Sequence, residues 1–165
     1  MNLSAEKFIA LVKHPLKFRM FLFTKLPAAF FSGVSLEEID DTKSIVSVPY
    51  KWLTQNPFRS TYFASLAMAA EMSTGILAMM HIYKRNPSVS MLITNMQANY
   101  FKKATSKTFF LCEAGKNIFD AIENCLETKE SKTITAKSTG TNKNGEVIAE
   151  FFFTWSFKVK SSQSS

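Results

Sequence analysis

The stretch from Thr61 to Ile82 most constrains what this chain can fold into. It is long, apolar on every face, and carries a single carboxylate, Glu71, at its centre, with His81 near its end. Its length suits a bilayer, yet a carboxylate at mid-membrane costs roughly 2.5–3.5 kcal/mol on insertion scales. A helix enclosed by the other elements of a soluble domain has the same composition without that cost, so the stretch is read as a buried helix, capped by Ser60 or Thr61 and running to about His81. Ala64, Ala67, Ala70, Ser73, Thr74, Gly75 and Ala78 would let a sheet approach its backbone closely.

The remaining sequence supplies such a sheet. Val34, Leu36 and Ile39, then Ile45, Val46 and Val48 across the Asp40-Asp41 turn, read as a hairpin. After Arg85-Asn86-Pro87 stops the helix, strand-like segments follow at Val89–Lys103, Lys107–Glu113, Lys132–Thr141 and Glu146–Lys160. The last two join at Asn142-Lys143-Asn144-Gly145, the clearest hairpin signal in the chain. Ile118, Ile122 and Leu126 recur every four residues, which predicts a shorter helix over Asn117–Glu127. The expected architecture is α+β, a curved antiparallel sheet of about six strands wrapped around one long central apolar helix. Ahead of it, residues 1–33 form an N-terminal helical arm. Ser4 starts one helix, Pro15 opens a second with Phe18, Leu22 and Leu26 on one face, and Pro27 and Gly33 punctuate its end. The domain itself spans 34–160, and the polar tail 161–165 is expected to be disordered.

Composition narrows the function classes. At 165 residues, 46% of them hydrophobic, the chain suits one domain that builds its own core. Two cysteines, Cys112 and Cys125, and two histidines exclude a disulfide framework and a Cys/His zinc site, and suggest a reducing, cytoplasmic setting. Lys17, Arg19 and Lys25 interrupt the apolar N-terminal run, which argues against a cleaved signal peptide. The formal charge of +7 favours encounters with anions without choosing among them. An adaptor for membrane surfaces or nucleic acid, using the basic arm from Pro15 to Lys25, is one reading.

Chemistry points to Glu71. A lone carboxylate on an apolar helix must be paired, for example with Arg59, or protonated, or exposed at a site. The helix start at Asn56 and Ser60–Phe63 adds free backbone N–H groups suited to an oxyanion. Cys112, Cys125 and His14 fit structural roles, and His81 at the helix end suits a cation beside the dipole.

The run Asn56-Pro57-Phe58-Arg59-Ser60-Thr61-Tyr62-Phe63-Ala64, followed by an apolar helix with Glu71, resembles the hotdog-fold acyl-CoA thioesterases of the phenylacetate-pathway type. In that family an Asn precedes a His-Gly-Gly by six residues, and an acid follows the His by nine. Here Tyr62 stands six after Asn56 and Glu71 nine after Tyr62. The resemblance is closest to a domain-of-unknown-function branch of that superfamily. It implies a hotdog fold and Glu71 as general base or nucleophile toward a thioester. Asn56 would position water or the carbonyl, and the Phe63 amide would polarise the thioester oxygen. It further implies a homodimer or tetramer whose site straddles two subunits. A coenzyme A or acyl carrier protein thioester is then the substrate, with no resident cofactor or metal. Tyr62, Ser60, Thr61, Met68 and Met72 would line the substrate, and Arg85, Lys102 and Lys103 would meet coenzyme A phosphates. Tyr62-Phe63-Ala64 replaces His-Gly-Gly, so either the acyl group enters differently or the chain binds thioesters or lipids without hydrolysing them.

Overall fold

A computed structural model describes residues 3–160. Three helices lead: α1 (Leu3–Lys13), α2 (Pro15–Lys25) and α3 (Pro27–Ser32). A hairpin of β1 (Ser35–Ile39) and β2 (Ser44–Val48) follows. Then come the long helix α4 (Phe63–Ile82), β3 (Val89–Tyr100), β4 (Thr108–Cys112), α5 (Gly115–Thr128), β5 (Lys132–Thr141) and β6 (Val147–Val159). The strands form one antiparallel sheet in the order β1-β2-β4-β5-β6-β3. The expected six-stranded sheet around an apolar helix is therefore present. β4 is shorter than its expected span Lys107–Glu113, at five residues.

Alternation in β6 shows how the sheet seats the helix. Phe151, Phe153, Trp155 and Phe157 are buried while Phe152, Thr154 and Ser156 are only half-buried, the period-2 pattern of a strand with one face on the core. Two polar residues of α4, Ser73 and Thr74, are fastened to the sheet. Ser73 Oγ shares a hydrogen bond with Ser138 Oγ of β5 at 2.8 Å, and the Ser73 carbonyl accepts from Ser44 Oγ of β2 at 2.5 Å. The Trp155 indole N–H donates to Thr74 Oγ1 at 2.9 Å. Each group is thus buried without losing its partner, which is what allows polar side chains on so apolar a helix.

Two local expectations are revised. The helix begins at Phe63 rather than Ser60 or Thr61, because Thr61 pairs with Gln55 in a β-bridge and its amide donates to the Ala104 carbonyl at 2.7 Å. Pro27 starts a further helical turn and a half, α3, instead of only ending α2; proline at the first helical position loses no intrahelical bond. Phe8, Val12, Phe18, Leu22 and Ala29 of the arm are buried in the same apolar core as α4 and the sheet. The tail 161–165 lies outside the described residues.

Candidate functional site

Glu71 lies midway along α4 on a half-buried stripe formed by Ala64, Ala67, Met68 and Glu71, spaced i, i+3, i+4 and i+7. No ion pair or hydrogen bond reaches its carboxyl among the described residues, so the pairing with Arg59 is not made. One turn later Gly75 leaves room for the acid. A Cβ at Gly75 would stand 3.0 Å from Glu71 Oε1 and 3.3 Å from the Trp155 ring. Desolvation of this unpaired carboxyl pushes its pKa up to about 7.

The acid borders a cavity of about 240 Å³ between the arm and the central helix. Phe8, Leu11 and Val12 of α1 and Phe18, Phe21 and Lys25 of α2 form one wall. Met72, Gly75, Ile76 and Met79 of α4, with Met91 of β3, form the other. The lining is overwhelmingly apolar, and Glu71 and Lys25 are its two charged residues. Met72 lines this cavity, whereas Met68 is half-buried and does not. The N-terminal arm supplies about half of this wall.

The other predicted residues gather elsewhere. Asn56, Ser60, Thr61, Tyr62, Phe63, Lys102 and Lys103 line an open groove of about 560 Å³ at the N-terminus of α4. Asn56 holds the loop together: its Oδ1 accepts from the Phe58 and Ser60 amides at 3.0 and 3.2 Å, and its Nδ2 donates to Ser60 Oγ at 3.1 Å. Neither the Phe63 nor the Ala64 amide donates a hydrogen bond among the described residues. The exposed Tyr62 and Phe63 rings pack edge to face with centroids 4.8 Å apart. Lys102 pairs with Glu146 at 2.6 Å, and Lys103 Nζ donates to the Phe58 carbonyl at 3.4 Å.

Arg85 does not join this groove. It follows the far end of α4, donates to the His81 carbonyl and pairs with Glu123 of α5. His81 is buried against Phe119, and burial together with nearby Arg85 pulls its pKa down to about 4, so it is neutral rather than the expected cation. Burial raises the Cys112 thiol to about 11, which removes it as a nucleophile. Cys112 and Cys125 are both buried and unpaired. Among the described residues no cluster of His, Cys, Asp or Glu could hold a metal ion.

Glu71 and the Phe63 amide are eight residues apart on one helix, about 12 Å at 1.5 Å per residue. One reacting carbonyl cannot touch both within a single chain. Sequence spacing singled out both groups but gave no sign that they lie in different cavities, nor that α1 and α2 wall the acid's cavity.

α4 is long and apolar enough to cross a membrane, but most of it is buried inside the fold. Solved structures share the architecture. A protein from Pseudomonas aeruginosa described as a probable thioesterase is 16% identical with a TM-score of 0.74, the match covering 88% of this chain and 97% of that one. A protein of unknown function from Chlorobaculum tepidum gives the same values. A thioesterase from Haemophilus influenzae is 10% identical with a TM-score of 0.62, covering 90% and 94% of the two chains. At these identities the likeness shows the fold, which is the hotdog fold. Among curated proteins none matches the chain. The model of the family described as a domain of unknown function, DUF4442, matches residues 17–157, and the chain belongs to that family.

Proposed function

We propose that this protein is an acyl thioester hydrolase that works as a homodimer, with Glu71 as general base. The observation that carries this reading is an unpaired carboxyl with a pKa near 7 at the rim of an apolar cavity. A base with that pKa is substantially ionised at neutral pH and still takes a proton readily. The acyl chain occupies the cavity against Met72 and Ile76. Glu71 accepts a proton from the attacking water as the new C–O bond forms, and returns it to the thiolate as the C–S bond breaks.

The oxyanion needs donors that Glu71's own chain cannot bring, and a second copy supplies them. The half-exposed stripe of α4 suits antiparallel packing of two copies about Ala67, which sets Glu71 of one beside the Phe63 and Ala64 amides of the other. β3 supports the same arrangement. It is a 12-residue strand at the sheet edge with Leu92 and Met96 exposed, the kind of edge that pairs with another copy. Lys102 and Lys103, beside those amides, then meet the phosphates of a coenzyme A carrier. Asn56 acts through the shape of its loop, and two buried free thiols suit a cytoplasmic setting.

A second reading, binding of acyl-CoA or lipid without hydrolysis, draws on the Tyr62 and Phe63 rings at the helix end where the resembling family has histidine and glycine. One experiment separates the two. Thiol release is measured over a panel of acyl-CoA chain lengths for wild type, Glu71→Gln and Phe63→Pro, the last deleting one amide at a helix position that tolerates proline. Both variants lose turnover while remaining dimeric. Mixing and re-forming dimers restores about a quarter of the wild-type rate, since half of the dimers are hybrids and each hybrid keeps one intact site. Turnover unaffected by Glu71→Gln refutes the mechanism, and retained ligand without turnover on any substrate establishes the binding reading.

A further inference from the structure

α2 is apolar on two opposite faces. Phe18 and Leu22 enter the core, whereas Leu16, Met20 and Phe23, spaced four and three apart, lie 71, 62 and 53% exposed. Phe31 of α3, 55% exposed, extends this outer strip, its ring 6.4 Å from that of Phe23. By helical spacing Lys17 flanks the strip on one side and Arg19 on the other. The Arg19 guanidinium lies 4.8 Å from the Phe30 ring centroid, beside the same aromatic cluster.

The charge around the strip has one sign. Residues 1–33 hold Lys7, Lys13, Lys17, Arg19 and Lys25 against the single acid Glu6. Among the described residues, none of Lys13, Lys17, Arg19 and Lys25 is in an ion pair. The acids that share a cleft with Lys13 and Arg19, Glu37 and Glu38 of β1, are already matched with Lys107 at 2.7 Å and Lys43 at 2.9 Å.

We propose that the outer face of α2 and α3 is a docking surface for an anionic lipid bilayer. The helix lies in the plane of the interface, with Leu16, Met20, Phe23 and Phe31 among the acyl chains and Lys17 and Arg19 at the lipid phosphates. A nucleic acid would satisfy the cations and leave the apolar strip in water. A second copy docked strip to strip would set cations against cations. The inference does not depend on hydrolysis, but it has a geometric corollary: the opposite face of the same helix walls the Glu71 cavity, so docking brings that cavity to the membrane surface.

The test uses the full chain and sedimentation with phosphatidylcholine vesicles prepared with and without phosphatidylglycerol. The two variants are Lys17→Glu with Arg19→Glu, and Met20→Ser with Phe23→Ser. All four side chains are exposed, and circular dichroism checks that the fold is kept. Wild type is expected to sediment with the anionic vesicles only and to be released by salt. The charge variant should lower partitioning at least about 25-fold, at about fivefold for each basic residue near an anionic surface. The serine variant should lower it as well. The proposal is overturned by failure of wild type to bind anionic vesicles, or by binding that both variants retain. It is equally overturned if light scattering without lipid shows the serine variant dissociating an oligomer, or if the basic residues serve duplex DNA in a gel shift while vesicles are ignored.

Discussion

Replacing Glu71 with glutamine tests the electrostatics of the cavity without reference to any substrate. Burial moves the carboxyl from 4.5 to about 7, and a shift of that size is worth about 3 kcal/mol. The folded chain therefore binds a proton more tightly than the unfolded one, so this group's contribution is fully present below pH 4.5 and is lost as pH rises to about 7. His81 acts in the opposite sense. Its pKa falls from 6.5 to about 4, so its contribution is complete above 6.5 and lost as pH falls to about 4, again about 3 kcal/mol. The two slopes nearly cancel in the wild type between about pH 4.5 and 6.5. Glu71→Gln removes one of them. The variant should match wild type near pH 4 and exceed it by about 3 kcal/mol at pH 8, or about 6–12 °C in Tm for a chain of this size. Urea unfolding at half-unit pH steps provides the assay. Parallel profiles for the two proteins would show that the Glu71 carboxyl is solvated or paired in solution and would refute the reasoning.

Gly75→Ala should lower the Glu71 pKa toward 4.5, because a Cβ 3.0 Å from Oε1 and 3.3 Å from Trp155 displaces the carboxyl from its niche; carbon-detected NMR titration of the side chain reads this directly. Trp155→Phe removes the donor to Thr74 and should cost about 1–3 kcal/mol in denaturant unfolding, with the fold retained.

Much of the fold was legible because it is written in local patterns. The Asn142–Gly145 turn forms as expected, with Gly145 at φ 80° and the Asn142 amide bonded to the Glu146 carbonyl at 3.0 Å. Ile118 and Ile122 are buried on α5, as their spacing required. The all-round apolarity of α4 correctly demanded enclosure, but enclosure has no direction in sequence. Nothing in the spacing of Phe8, Val12 or Phe18 says that they pack on α4. The arm's place in the cavity wall was hidden for that reason. Glu71 stood out because a lone carboxylate on an apolar helix requires explanation, whereas the desolvation that tunes it depends on Gly75 and on Trp155, 84 residues away in sequence. Arg85 shows the converse: its charge suggested a partner for coenzyme A phosphates, but Glu123 on a separate helix pairs with it, a contact no local pattern announces.

The sheet order has a consequence for how the chain is made. β6, the last strand synthesised, lies between β5 and β3. Since among the described residues β3 pairs only with β6, it emerges from the ribosome at residue 89 and waits for residues 147–159 before it has a partner. At roughly 5–20 residues per second that delay is several seconds. During the wait α4 also lacks the Phe and Trp surface that finally covers it. The arm and β2 both precede α4 from the ribosome and pack on it, and Phe8 and Val12 of the one with Val46 of the other give the nascent helix an apolar cover until the last strand closes the sheet.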